Sequence, residues 1–224
     1  MTVIRVEHEV HSNKWHIAKA LAELAKYDLL SFDTETAGVY PKADRAEATA
    51  YLKGKDLPVD SKSLALQVEA NSGLSFPSLV SVTHFVFGTS DHSSVILICD
   101  NPQLELFIWK WIAGYEGKLI IHNALFDLKI MYHRIGKYPK DYDDSQLLAK
   151  CLTNNVEVFK ARVGLKDLMG SYYDPMWILV DEYEPANLKD PKFIQYAGID
   201  GAATIKLWYD IQEHMRPDDD TSED

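Results

Sequence analysis

The chain has 224 residues, 46% of them apolar, and a formal net charge of −11. That length suits one domain with a real core, and no apolar run is long enough to cross a bilayer. The acidic balance argues against a broad basic face that would bind nucleic acid regardless of sequence, so any such contact must use a local patch or metal ions. The N-terminus, MTVIRVEHEV, lacks the charged-then-apolar pattern of a signal peptide. The two cysteines, Cys99 and Cys151, lie near apolar residues and have no metal-ligand spacing, which predicts buried free thiols and a cytoplasmic setting.

Val3 to Val10 alternates roughly and reads as a short edge strand. Ser12 is the expected N-cap of a helix over Trp15–Tyr27, where Trp15, Ile17, Ala18, Leu21 and Leu24 recur at helical spacing. The next stretch, LLSFDTETAG from Leu29 to Gly38, organises the rest of the chain. A strand over Leu29–Thr34 brings Asp33 and Glu35, two apart and so on one face, to its C-terminal tip. Two such carboxylates repel, and burial of unpaired charge is costly. A divalent metal is one remedy. Residues 37–77 are long for a connection in a compact domain, where loops run about 4–6 residues. They read as an insertion beside the acidic pair, either a structural flap or part of the site.

Leu79–Gly88 and Ser94–Asp100 read as strands joined by the polar turn Thr89–Ser93. Pro102–Tyr115 follows as a helix, and Lys118–His122 as a short buried strand. Ala124–Ile135 has helical spacing, with Asp127 in the first turn, where the helix dipole favours a carboxylate. Asp141–Leu152 reads as a helix capped by Asp143 or Asp144, Leu165–Tyr173 as a short helix, and 174–190 as a loop. The last helix runs from Pro191, a favoured first position, to about Met215. In it Tyr196 and Asp200 lie four apart on one face. Gly198 and Gly201 flank Asp200 at a cost of roughly 0.5–1 kcal/mol each against alanine, which points to a close neighbour. His84 reads as a core histidine and His122 as a structural strand-end residue. Asp144 reads as a cap or a support rather than a ligand. Residues 217–224 read as a solvated acidic tail, leaving 1–216 as a single domain. The pattern of strands and helices predicts an α/β fold with a mixed sheet flanked by helices.

Asp33-x-Glu35, Asn123-x-x-Phe126-Asp127 and Tyr196-x-x-x-Asp200 stand in the order of the three motifs of DEDD-superfamily 3′–5′ exonucleases, which this chain resembles. Tyrosine four before the last aspartate resembles the tyrosine subtype. Position 195 is Gln, so the histidine subtype does not fit. Within the superfamily the chain most resembles the proofreading domain of family A DNA polymerases, whose linking helices are similar to Asp144–Leu152 and Gly164–Tyr173. The likeness spans Leu29 to Tyr209 apart from the insertion.

That resemblance implies a ribonuclease-H-like fold with a central five-stranded mixed sheet. It implies two divalent ions, Mg²⁺ or Mn²⁺, held by Asp33, Glu35, Asp127 and Asp200, with Asp33 bridging both. Two metals about 3.5–4 Å apart activate a water and stabilise the leaving oxygen, and such hard cations prefer carboxylate oxygen and water. Tyr196 and Glu35 would orient the attacking water. Asn123 and the backbone around Thr36 would hold the terminal sugar. Phe126 is expected either to pack in the core or to touch a base. Tyr172, Tyr173 and Trp177 are stacking platforms or a packed cluster. Two basic runs, Lys129 to Lys140 and Lys160 to Lys166, are phosphate tracks or solvated faces.

The function implied is a 3′–5′ exonuclease acting on DNA, stand-alone or as a proofreading subunit. No polymerase follows Asp224, so a polymerase or other replication protein is the expected partner presenting the 3′ end. The alternatives are an exoribonuclease of the RNase D type and a non-catalytic protein-binding module on the same fold.

Overall fold

A computed structural model of the chain describes residues 6–37, 53, 81–152, 163–173 and 188–215. Nearly all of the expected insertion, most of the expected 174–190 loop and the acidic tail lie outside the described residues, as do Lys160, Arg162 and Trp177. The elements in order are β1 (Glu7–His11), α1 (Lys14–Leu24), β2 (Leu29–Ala37), β3 (Ser81–Ser90), β4 (Ser93–Ile98), α2 (Pro102–Gly114), β5 (Lys118–Ile121), α3 (Leu125–Ile135), β6 (Tyr142–Asp144), α4 (Ser145–Leu152), α5 (Leu165–Tyr172) and α6 (Pro191–Met215).

The strands form one mixed sheet in the order β1-β4-β3-β2-β5-β6. β2, β3 and β4 are an antiparallel meander, while β5 and β6 run parallel to β2 and β1 runs parallel to β4. The sheet therefore has six strands rather than the expected five. The strand not expected is β6, while β1 lies outside β4 as the edge strand expected near Val3–Val10. β6 was hidden in the sequence because Tyr-Asp-Asp has almost no strand propensity. Those residues read instead as the first turn of the following helix, which starts at Ser145.

The first two helices start at side-chain caps. Asn13, not Ser12, caps α1, its Oδ1 accepting the Trp15 N–H at 2.9 Å. Asn101 caps α2 by accepting the Leu104 N–H at 2.9 Å, with Pro102 next in line. Gly136, with φ 64°, ends α3 in the left-handed conformation that glycine adopts freely.

Side chains alternate across the sheet, and the two faces differ in kind. One face carries Leu30, Phe32, Phe85 and Phe87, buried with α1, α2 and α3. Trp109 of α2 packs edge-on at 5.8 Å from Phe32 and 4.8 Å from Phe85. The other face carries α6, which touches β3, β4 and β2, and here the residues are small. Ser31 Oγ donates to the Gly201 carbonyl at 2.7 Å and accepts the Gly88 N–H at 3.0 Å. Ser94 Oγ donates to the Gly198 carbonyl at 2.6 Å. The two glycines flanking Asp200 thus let the helix backbone lie against the sheet, where strand hydroxyls bind its carbonyls. Of the cysteines, Cys99 is buried as expected, while Cys151 is exposed near the end of α4. An apolar neighbour in sequence did not place it in the core.

Candidate active site

β2 ends at the site. Its face toward α6 carries Ser31, Asp33 and Glu35 in succession. The β2–β3 register holds Asp33 opposite Val86 and Glu35 opposite His84, then shifts between Glu35 and Thr36. Such a bulge re-aims side chains and is common beside active sites. The strand therefore runs past its expected end at Thr34, to Ala37. Thr83 Oγ1 donates to the Glu35 carbonyl at 3.1 Å, fixing the backbone at this point.

Asp200 reaches the same place from the middle of α6. One carboxylate oxygen from each of Asp33, Glu35 and Asp200 lies within 4.8 Å of the others. Asp127 approaches from the opposite side of the sheet, in the first turn of α3. Its Oδ1 accepts a hydrogen bond from Thr34 Oγ1 at 2.5 Å, so the close group of three forms without it. It stays electrostatically coupled, since its charge raises the pKa of Asp33.

Burial dominates the site's acid–base behaviour. It pushes Asp33 well above the usual carboxylate range, with repulsion from Asp127, Glu35 and Asp200 adding to it. Burial likewise lifts Glu35 to about 8, Asp127 to about 7 and Asp200 to about 6. Lys166 and the Tyr196 hydroxyl hold Asp200 back from a larger rise. The Tyr196 phenol is itself pushed up, first by burial and then by the charges of Asp200, Glu35 and Asp33, so it keeps its proton. Glu35 Oε1 is buried and has no hydrogen-bond partner among the described residues. Three converging carboxylates with an orphaned oxygen among them fit a hard divalent cation, which takes oxygen ligands and offsets their repulsion.

Glu35, Asp127 and Asp200 titrate near 4 when unfolded and are raised to about 8, about 7 and about 6 when folded, so across that window the native state holds protons the unfolded chain has released. Stability then falls as pH rises. The melting temperature in EDTA is expected to drop between about pH 5 and pH 8. Added Mg²⁺ should restore it most at the upper end, where the acids are ionised. Thermal melts across pH check both statements.

The support around the site comes from residues of little catalytic character. Asp144 Oδ2 accepts the Ala124 N–H at 3.0 Å, and Oδ1 accepts the N–H groups of Asn123 at 3.2 Å and Gln146 at 2.9 Å. One carboxylate therefore caps α4 and also holds the turn that launches α3 toward Asp127. Asn123 occupies that turn with φ 62°, a conformation that asparagine tolerates better than most residues. Asp144→Ala should destabilise the fold by about 2 kcal/mol, the upper range for a lost N-cap, as read by urea unfolding. His122 ties three segments together. Its Nε2–H donates to the Val163 carbonyl at 3.0 Å, its Nδ1 lies 2.9 Å from Ser145 Oγ, and burial lowers its pKa to about 4. His84 is fully buried, its ring nitrogens 2.9 Å from Thr83 Oγ1 and 2.8 Å from the Leu188 carbonyl.

Phe126 is partly buried against the core, in keeping with the packing alternative. Asn123 has an exposed side chain, and Thr36 is half-buried at the strand end. Tyr173 packs against the apolar cluster of α4, α5 and α6, with Lys206 Nζ 4.7 Å from its ring centroid. In the first basic run Arg134 is tied to Glu105 at 2.7 Å, and Lys140 to Glu116. Sequence reading missed Thr34, Thr83 and Ser31. Ser31 left a signal, a hydroxyl in an apolar strand on the same face as Asp33.

The sheet order, the helices on both faces and the acids at the strand ends define an α/β ribonuclease-H-like fold. Residues 57–216 match the family described as 3′–5′ exonuclease, and the chain belongs to that family. The match takes in Asp127, Tyr196 and Asp200 but begins after Asp33 and Glu35, which join the site through the geometry above. No curated protein sequence gave a significant match. Among solved structures, Mg²⁺-bound NrnC of Brucella melitensis is similar with TM-score 0.54 and 14% identity, covering 95% of this chain and 82% of that one. NrnC bound to pGG gives 0.55 and 15%, covering 96% and 82%. RNase D of Trypanosoma brucei in complex with RNA U12 gives 0.57 and 11%, covering 99% and 66%.

Proposed function

We propose that this is a tyrosine-subtype 3′–5′ exonuclease that removes nucleotides from single-stranded or frayed 3′ ends of DNA. The observation that carries this reading is the convergence of Asp33, Glu35 and Asp200 within 4.8 Å, with Tyr196 one helical turn before Asp200 and Asp127 close behind. Two Mg²⁺ or Mn²⁺ ions, held by Asp33, Glu35, Asp127 and Asp200, would supply the acidity that makes water nucleophilic and the charge that stabilises the leaving oxygen.

The chain's own groups do the positioning. Tyr196 keeps its phenolic proton and donates it in a hydrogen bond to the attacking water. Glu35 Oε1, the orphaned acceptor, takes a hydrogen bond from the same water. Together they fix its direction of approach to phosphorus, and such orientation is a large part of what an enzyme contributes. Asn123 and Thr36 hold the terminal sugar, while Phe126 supports the turn at Asn123. The products are a nucleoside 5′-monophosphate and a shortened strand.

The resemblance of the motifs to proofreading domains supports DNA. A ribonucleotide substrate is the second reading, supported by the pGG-bound and RNA-bound structures of the fold neighbours. The charge of −11 weakens unaided binding, so a polymerase or other replication protein that presents the 3′ end fits this chain, in a cytoplasmic setting. Among the described residues no helix is long and apolar enough to cross a membrane.

The test uses 5′-labelled single-stranded DNA and its RNA counterpart, each with Mg²⁺, Mn²⁺ or EDTA, and Asp33→Ala as control. A metal-dependent ladder shortening from the 3′ end of DNA is expected. A ladder on RNA alone would transfer the reading to RNA trimming. No ladder on either, with folded protein, would overturn the exonuclease assignment for the isolated chain.

A further inference from the structure

A cation stands beside the acids of the site, and its charge lowers the pKa of both Asp200 and Glu35. Lys166 stands in the first turn of α5, where the helix dipole is unfavourable to an ammonium. Gly164 caps that helix without a side-chain bond, so local helix energetics give no reason for a lysine there. Its Nζ lies 3.7 Å from the centroid of the Tyr196 ring, within range of a cation–π contact. It also lies 3.8 Å from Asp200 Oδ2, with 41% of its side chain exposed. That separation is beyond hydrogen-bond reach. The ammonium is thus held over the ring of the water-orienting tyrosine, stays partly exposed to solvent, and pairs with Asp200 at ion-pair distance.

We propose that Lys166 is a substrate-contacting residue whose ammonium binds a non-bridging oxygen of the phosphodiester being cut. The inference rests on the exonuclease reading above. When cations satisfy the carboxylates, Asp200 no longer needs the ammonium, and the next negative charge to enter is the phosphate. Resting on the Tyr196 ring sets the ammonium beside the water that this tyrosine directs. Lys166 therefore links two positions that must agree, the nucleophile and the phosphorus it attacks. Its exposure lets a strand reach it without rearrangement of the fold. A lysine suits this task because its three donors rotate about a compact charge and can follow the phosphate through the reaction.

The experiment measures binding apart from turnover. In an Asp33→Ala background with Mg²⁺, the affinity for a short fluorescent oligothymidylate is followed by anisotropy across a range of salt. For single strands each lost phosphate contact reduces the slope of log K against log salt by about 0.7. Lys166→Met, which keeps the packing stem, is expected to lose about that much, and Lys166→Arg to keep it. Lys166→Gln serves as the second neutral variant if Lys166→Met does not melt like its parent. With Asp33 restored, the neutral variant should lower kcat/KM about tenfold on the oligonucleotide, and arginine should recover most of it. An unchanged slope in a folded neutral variant, or no binding by the parent, overturns the proposal. Failure of the exonuclease reading is distinguishable, because it shows as absent hydrolysis by the wild-type chain whatever the slopes.

Discussion

Asp33→Asn is expected to stop hydrolysis and, at the same time, to make the metal-free protein more resistant to heat at pH 8. The two effects share one cause. Burial, together with the charges of Asp127, Glu35 and Asp200, drives the pKa of Asp33 far up. Ionising it without a cation costs folding energy, which an amide of the same shape does not incur. Removing a residue that supports a metal ligand costs about 10–100-fold in affinity or activity, and with Asp33 as a ligand, as proposed above, the loss should exceed that range. Turnover assays and melts in EDTA read the two effects separately. A variant that lost both activity and stability would show that Asp33 holds the fold, not the metal.

Gly88→Ala should be the most damaging single-methyl change among the described residues. A Cβ there would lie 2.5 Å from the Gly201 carbonyl oxygen and 2.8 Å from its carbon, and closer still to Ser31 Oγ. The obstacles are the backbone of α6 and a hydroxyl already bonded on both sides, so neither can swing away. Overpacking of this kind costs about 1–3 kcal/mol or more, and the lost Ser31 bridge adds to it. Gly201→Ala faces a milder clash, 3.0 Å from Val86 Cγ1 and 3.3 Å from the Gly88 nitrogen. The expected order of destabilisation by urea unfolding is Gly88→Ala above Gly201→Ala. Because displacement of α6 also moves Asp200, activity should fall further than stability alone accounts for. An equal, small effect at both positions would show that α6 lifts from the sheet at little cost.

The carboxylates were legible in the sequence because each lies at a position that backbone geometry fixes. Strand alternation set Asp33 and Glu35 on one side, and the helical turn joined Tyr196 to Asp200. The glycines beside Asp200 announced a close neighbour, and Gly198 and Gly201 proved to lie against the sheet. What stayed hidden depends on contacts across many residues of chain. Nothing near Thr34 says that its hydroxyl will hold Asp127, and nothing near Lys166 says that it will stand over Tyr196. β6 went unseen because pairing with β5, not composition, makes three residues a strand. The cap of α1 was missed by one residue, and Cys151 was read from its apolar neighbours, which do not decide the helix face it occupies.

Ser31 and Gly201 are separated by 170 residues of chain, and the acids beside them are nearly as far apart. Contacts of such span are slow to form, because loop closure must precede any reward. Secondary structure can therefore be largely in place while the carboxylates are still apart, and the capacity to take up a divalent ion should emerge only in the last stage of folding. During refolding, Mn²⁺ uptake is expected to lag behind the recovery of helical signal. The metal would then act as a late clamp that favours the completed fold and has little hold on partly assembled chains.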